Sequence, residues 1–157
     1  MLCTNKQAKN TAIEMFKLAV KQIRAKMSPS LSDKIEIKLM STMGPKGITS
    51  GDCTISTDLK KCRVRFNLDF AAAWVENEGD DAGWKYIIKT VRHECFHAFQ
   101  WLWIAANGGH KAIQKVLKYI DETPYKESVM EKGAWAYEDP DHAQLQNFDK
   151  ELAIFLK

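Results

Sequence analysis

Glycine and proline are scarce in this chain, 8 and 4 among 157 residues, which excludes collagen-like and low-complexity architectures. Long apolar runs are missing too. The longest nearly apolar stretch, Cys95 to Ala106, falls well short of the roughly 20 residues a membrane span needs. The opening MLCTNKQAKNTAIEMF lacks the apolar segment of a secretory signal. Cysteine is sparse and scattered: Cys3, Cys53, Cys62 and Cys95 form no C-x-x-C pair, which excludes a ribbon-type zinc site. Charge of one sign is also lacking. A net charge of +3, with Lys and Arg spread along the chain, gives no ground by itself for nucleic acid or an anionic membrane as partner. These absences lead us to expect a soluble, cytoplasmic protein with free thiols and no membrane partner. Cys53 and Cys62 can still meet across a hairpin.

What is present is ordinary globular material. With 45% hydrophobic and 27% charged residues, the chain is long enough to close one core without staples. No repeat or linker divides it, so a single domain over residues 1–157 is expected. Ile13, Phe16, Val20, Ile23 and Met27 recur at helical spacing and predict an N-terminal helix over 6–27, ended by Pro29. KIEIKL alternates at period two and predicts a strand with Ile35, Ile37 and Leu39 on one face. After the loop STMGPKGITSGD, CTIS and CRVRFNL read as a hairpin. Arg63 and Arg65 on its outer face suit an edge strand. DFAAAW reads as a short helical turn followed by a polar loop, ENEGDDAG. Helices are then expected over 82–106, stopped at NGG, over 110–120, over 127–137, and within the C-terminal HAQLQNFDKELAIFLK. The fold class is α+β, with a small three-stranded antiparallel sheet.

TVRHECFHAFQWLW carries the chemistry. On a helix, residues four apart share a face one turn apart, so His93 and His97 can offer two imidazoles to one ion. Glu94 is rotated by about 100° from His93, which puts its carboxylate beside the ion rather than on it. That suits a base acting on a metal-activated water and then protonating the leaving amine. From Cys95 to Ala106 the helix is apolar around its circumference, so it is expected to be buried on most sides. Polar groups entering such surroundings need partners, and a metal is an economical one. Cys95, within the motif, reads as a small buried hydrophobe.

A catalytic zinc normally takes a third protein ligand. Two residues compete: Glu131, opening EKGAWAYE, where Gly133, Ala134 and Ala136 permit close helix approach, and His110, twelve intervening residues after His97.

H-E-x-x-H on a central helix, after a helix and three strands, resembles the minimal zincin metallopeptidase core. HECFHAFQ with the later E-x-x-A-x-x-Y (Glu131, Ala134, Tyr137) resembles small bacterial and phage gluzincin-like proteins. That resemblance implies Zn²⁺ held by His93, His97 and Glu131, with Glu94 as general base for hydrolysis of a protein or peptide substrate. GDCTISTDLKKCRVRFNLDF and HECFHAFQWL…GGH also resemble the SprT-like family of proteases acting on DNA-attached proteins, which implies His110 as third ligand and a nucleic-acid partner. The chain departs from that pattern, with Lys111, Ala112 and Ile113 where Gly and an aromatic follow, and with no cysteine ribbon. A zinc-binding domain without proteolytic activity is the third alternative. Arg63 to Leu68 is a candidate edge for an extended substrate, or an ordinary solvated edge. Tyr125, Tyr137 and His142 are candidate oxyanion donors, with none singled out. Gln100, Trp101, Trp103 and Trp135 read as packing residues.

Overall fold

The computed structural model describes residues 5–139 and 148–157. Helix α1, Lys6–Ala25, starts where the Asn5 side chain accepts hydrogen bonds from the Gln7 and Ala8 amides, the usual N-cap device. Its buried stripe is Ala8, Ala12, Phe16, Ala19 and Ile23, with Ile13 and Val20 only half-buried. The stripe is thus rotated towards the alanines, whose small side chains let neighbouring helices come close. Pro29 does more than end α1. It opens the one-turn helix α2, Pro29–Ser32, where the missing proline N–H costs nothing.

Strands β1 (Ile35–Met40), β2 (Gly51–Ile55) and β3 (Cys62–Asn67) form one sheet in the order β1-β3-β2. β2 pairs antiparallel with β3, Cys53 opposite Val64, while β1 runs parallel to β3, Ile35 opposite Cys62. The expected antiparallel sheet is therefore a mixed one, and β3 lies at its centre rather than its edge. The reason lies in β3 itself. Cys62, Val64 and Phe66 are fully covered, and this most deeply buried strand takes the doubly paired position. Its outer arginines meet carboxylates from both neighbours, Arg63 with Glu36 of β1 and Arg65 with Asp52 of β2. Cross-strand pairing, rather than edge protection, accounts for that charge pattern. β2 is left as an edge.

Asn67 caps α3, Leu68–Glu78, by accepting from the Phe70 amide. The expected loop ENEGDDAG is helical on both sides of one residue, Gly79, whose φ is 92°. α4 then runs Asp80–Glu122. Its one non-helical residue is Gly109, at φ 61° and ψ −156°, a region open only to glycine. The NGG signal thus breaks the helix at a single residue into arms 80–108 and 110–122. The first arm is buried through the motif, including Val91, Cys95, Ala98 and Ile104, and packs on α1, α3, β2 and β3. Phe16 of α1 stacks on Phe66 of β3 at 5.3 Å beneath it. A 3-10 turn, Tyr125–Glu127, leads to α5, Val129–Tyr137, which packs on α4. α6, Phe148–Leu152, and a 3-10 turn, Ala153–Leu156, close the chain. Among the described residues, no helix is long and apolar enough to cross a membrane.

Candidate metal centre

Two elements build the centre. The first arm of α4 carries His93 and His97 on one face, and α5 brings Glu131 against them from its first turn. Close helix approach makes this possible. A Cβ on Gly133 would lie 2.9 Å from Phe96 Cε1 and 3.1 Å from Gln100 Nε2, so only glycine seats α5 at this depth. The two imidazole Nε2 atoms are 3.2 Å apart, and each is 3.1 Å from one oxygen of the Glu131 carboxylate.

The outer nitrogens decide which atoms face the centre. His97 Nδ1 lies 2.8 Å from Gln100 Oε1, and Gln100 Nε2 donates to the Met130 carbonyl at 3.1 Å. That carbonyl can only accept, so the Gln100 amide orientation is fixed and His97 Nδ1 must donate. His93 Nδ1 likewise donates to Glu138 Oε1 at 3.0 Å. With both Nδ1 atoms protonated, a neutral imidazole presents a lone pair at Nε2. Two such lone pairs and a carboxylate converge. Glu131 Oε2 is shut off from solvent and finds no hydrogen-bond donor among the described residues, although His93 Nε2 lies close by.

Three converging acceptors repel one another unless positive charge lies between them. The electrostatics agree. Burial opposes charging of His93, yet Glu131, Glu94 and Glu138 outweigh it and raise its pKa. Burial likewise opposes ionisation of Glu131, and the two imidazoles hold its carboxyl well below the usual range. His93, His97 and Glu131 are the one group of potential metal ligands among the described residues. Two imidazoles and a carboxylate match the donor set of catalytic zinc sites, and ligand separations near 3.2 Å suit an ion roughly 2.0 Å from each. The residues fit a metal ion. His110 is exposed on the second arm of α4 and is not part of the group.

Glu94 points to the side, as the helical offset requires. Burial pushes its carboxyl pKa up, only partly offset by His97 and His93. Gly51 of β2 makes room for it, since a Cβ there would lie 3.0 Å from Glu94 Cγ and 2.8 Å from the Arg65 carbonyl. The free edge of β2, not β3, therefore borders the centre.

A cleft opens on both sides of Glu94 and His93. One lobe, about 370 Å³, is walled by Cys53, Trp101, Ile120, Thr123 and Met130. The other, about 420 Å³, is bordered by Thr49, Ser50, Lys89, Thr90, Trp135 and Glu138. Tyr125 lines both lobes, and its ring leans edge-on against Trp135 at 5.4 Å. The residue is 60% exposed, but partial desolvation of its hydroxyl and the nearby Glu131 raise its phenol pKa, so it stays a donor at neutral pH. Tyr137 is buried under the Arg92 guanidinium, 4.2 Å from its ring centre, and lines neither lobe. His142 lies outside the described residues.

Sequence reasoning missed Gln100 and Glu138 as partners of the histidines. Gln100 did carry a signal, as a polar residue within an otherwise apolar run. Glu138 carried none, being one of several nearby glutamates. Trp101 packs as expected but also walls the cleft. Compared with protein-family models, with curated proteins and with solved structures, the chain finds no match.

Proposed function

We propose that this protein is a zinc-dependent metallopeptidase of the minimal zincin type, with Zn²⁺ held by His93, His97 and Glu131. The observation that carries this reading is the convergence of two imidazole lone pairs, their tautomers fixed from outside, with a carboxylate, beside a half-buried carboxyl on the histidines' own helix. When bound, the ion supplies Lewis-acid polarisation and makes a water acidic enough to ionise near neutral pH. Glu94, with its raised pKa, takes that proton and delivers it to the leaving amine. Tyr125, overhanging both lobes, donates a hydrogen bond to the oxygen that gains charge. The free edge of β2 offers main-chain hydrogen bonds to an extended protein or peptide substrate. Free thiols at Cys53, Cys62 and Cys95 suit a reducing, cytoplasmic setting.

The test combines metal content with proteolysis of an unfolded protein. The wild type should bind one zinc and cleave, and a chelator should stop cleavage. Glu94→Gln should keep the zinc and lose at least about 10²-fold in rate. Zinc bound at one equivalent, with no cleavage across a broad substrate library, would instead favour a non-proteolytic zinc-binding domain.

A further inference from the structure

The two lobes differ in chemistry, and the difference bears on what the cleft admits. Trp101 comes from the buried arm of α4, Ile120 from its second arm and Met130 from α5. Three separate segments thus supply one apolar wall beside the centre, and the glycine break at Gly109 lies between the first two. Ile120 is 40% exposed, an apolar side chain at the rim that the described residues leave partly uncovered. The opposite lobe is bordered by hydroxyls and charge at Thr49, Ser50, Lys89, Thr90 and Glu138, with aromatic faces from Tyr86, Tyr125 and Trp135. An aliphatic side chain meets more polar and charged neighbours there, whereas burial in the first lobe removes apolar surface from water.

The charges near the first lobe argue further. Among the described residues lining it there is no Lys or Arg to hold a chain-terminal carboxylate. Asp52, the other carboxylate within reach of a terminal ammonium, is engaged by the Arg65 guanidinium through both of its oxygens. Glu131 faces the two histidines and Glu94 flanks them. Among the described residues lining this lobe, no cation is present for a terminal carboxylate, and the carboxylates other than Glu94 are already paired. Gly51, His93, Glu94 and Tyr125 border both lobes, so the cleft continues past the centre in both directions.

Resting on the metallopeptidase reading, we propose that the site cleaves within chains rather than at their ends. The lobe walled by Trp101, Ile120 and Met130 then receives a large apolar side chain flanking the scissile bond. Ile120 is the residue that sets the size of that side chain. It is part of the rim and not of the metal-binding or proton-transferring machinery, so its replacement alters selection ahead of chemistry.

The experiment uses full-length zinc-loaded protein and a peptide series blocked by acetyl and amide groups, varied at one position through Phe, Leu, Ala, Asp and Lys. Cleavage of blocked peptides is expected, with Phe and Leu favoured over Ala and Asp by about ten- to a hundredfold in kcat/KM. Ile120→Trp should narrow the lobe and shift preference towards the smaller residues, and Ile120→Lys should admit Asp. Both variants should keep one zinc and a wild-type melting profile. A parallel measurement, titration of the same peptides into zinc-loaded Glu94→Gln protein by calorimetry, reads the lobe without catalysis. Apolar-selective binding that Ile120→Trp alters, without any cleavage by wild type, would uphold the lobe and overturn hydrolysis. Binding indifferent to side-chain size, or a profile unchanged in both Ile120 variants, would overturn the lobe. Cleavage only of peptides with a free carboxyl end, lost in Lys89→Ala, would overturn cleavage within chains.

Discussion

Gln100 and Glu138 each hold the outer nitrogen of one histidine, at 2.8 Å from His97 and 3.0 Å from His93. Such partners fix the ring tautomer and its aim, and their loss typically costs 10- to 100-fold in metal affinity. Gln100→Leu and Glu138→Ala should therefore weaken zinc by about that factor, measured by competition with a chelating dye, while circular dichroism stays unchanged. Unaltered affinity in both would refute the tautomer argument. The thiols make a second case. Burial pushes the Cys95 pKa up to about 12, and a hydrogen bond with Cys62, then burial, raises that of Cys53. Only the thiolate reacts, so a raised pKa leaves little reactive form at pH 8. Mass spectrometry after iodoacetamide treatment should find both residues unmodified in the native protein and alkylated in urea. Cys53 and Cys62 do meet, as their order along the chain allowed, but diagonally, because Cys53 faces Val64 and Cys62 faces Ile55.

At the scale of elements, two glycines decide where helices can go. Gly133 lets α5 reach α4, and Gly133→Val would drive a branched side chain into Phe96. Overpacking of this kind costs about 1–3 kcal/mol, and because Glu131 rides on the same helix, zinc affinity should fall with it. Urea melts and zinc titration check the pair. Retained affinity would mean that α5 tolerates displacement. Gly109 differs in kind. A Cβ there meets nothing within 4 Å, so Gly109→Ala isolates the backbone cost of its φ and ψ, of about 1–3 kcal/mol. The urea midpoint should drop accordingly, with a near-native spectrum.

For the whole molecule, the centre is also a tie between α4 and α5, reinforced where Gln100 donates to the Met130 carbonyl and Arg92 to the Tyr137 carbonyl. A ligand that binds only the folded state stabilises it, by about 2.7 kcal/mol at a hundred times Kd. Melting temperature should accordingly rise with added zinc and fall with chelator, and hydrogen exchange in 129–137 should quicken on metal removal. A melting curve indifferent to both would leave the centre without structural weight. The sequence by itself determined the helical face shared by His93 and His97, the offset of Glu94 and the alternation of β3, because each depends only on the local repeat of its own segment. It also pointed to Glu131, through a motif. Only the tertiary structure decided the rest: that β3 is central and β2 is the edge strand bordering the centre, that Glu131 rather than His110 meets the histidines, and that Ile120 and Tyr125 wall the cleft. Glu138 reaches His93 across 45 positions of chain. No local periodicity encodes such a contact. It follows from how closely small residues allow whole elements to pack.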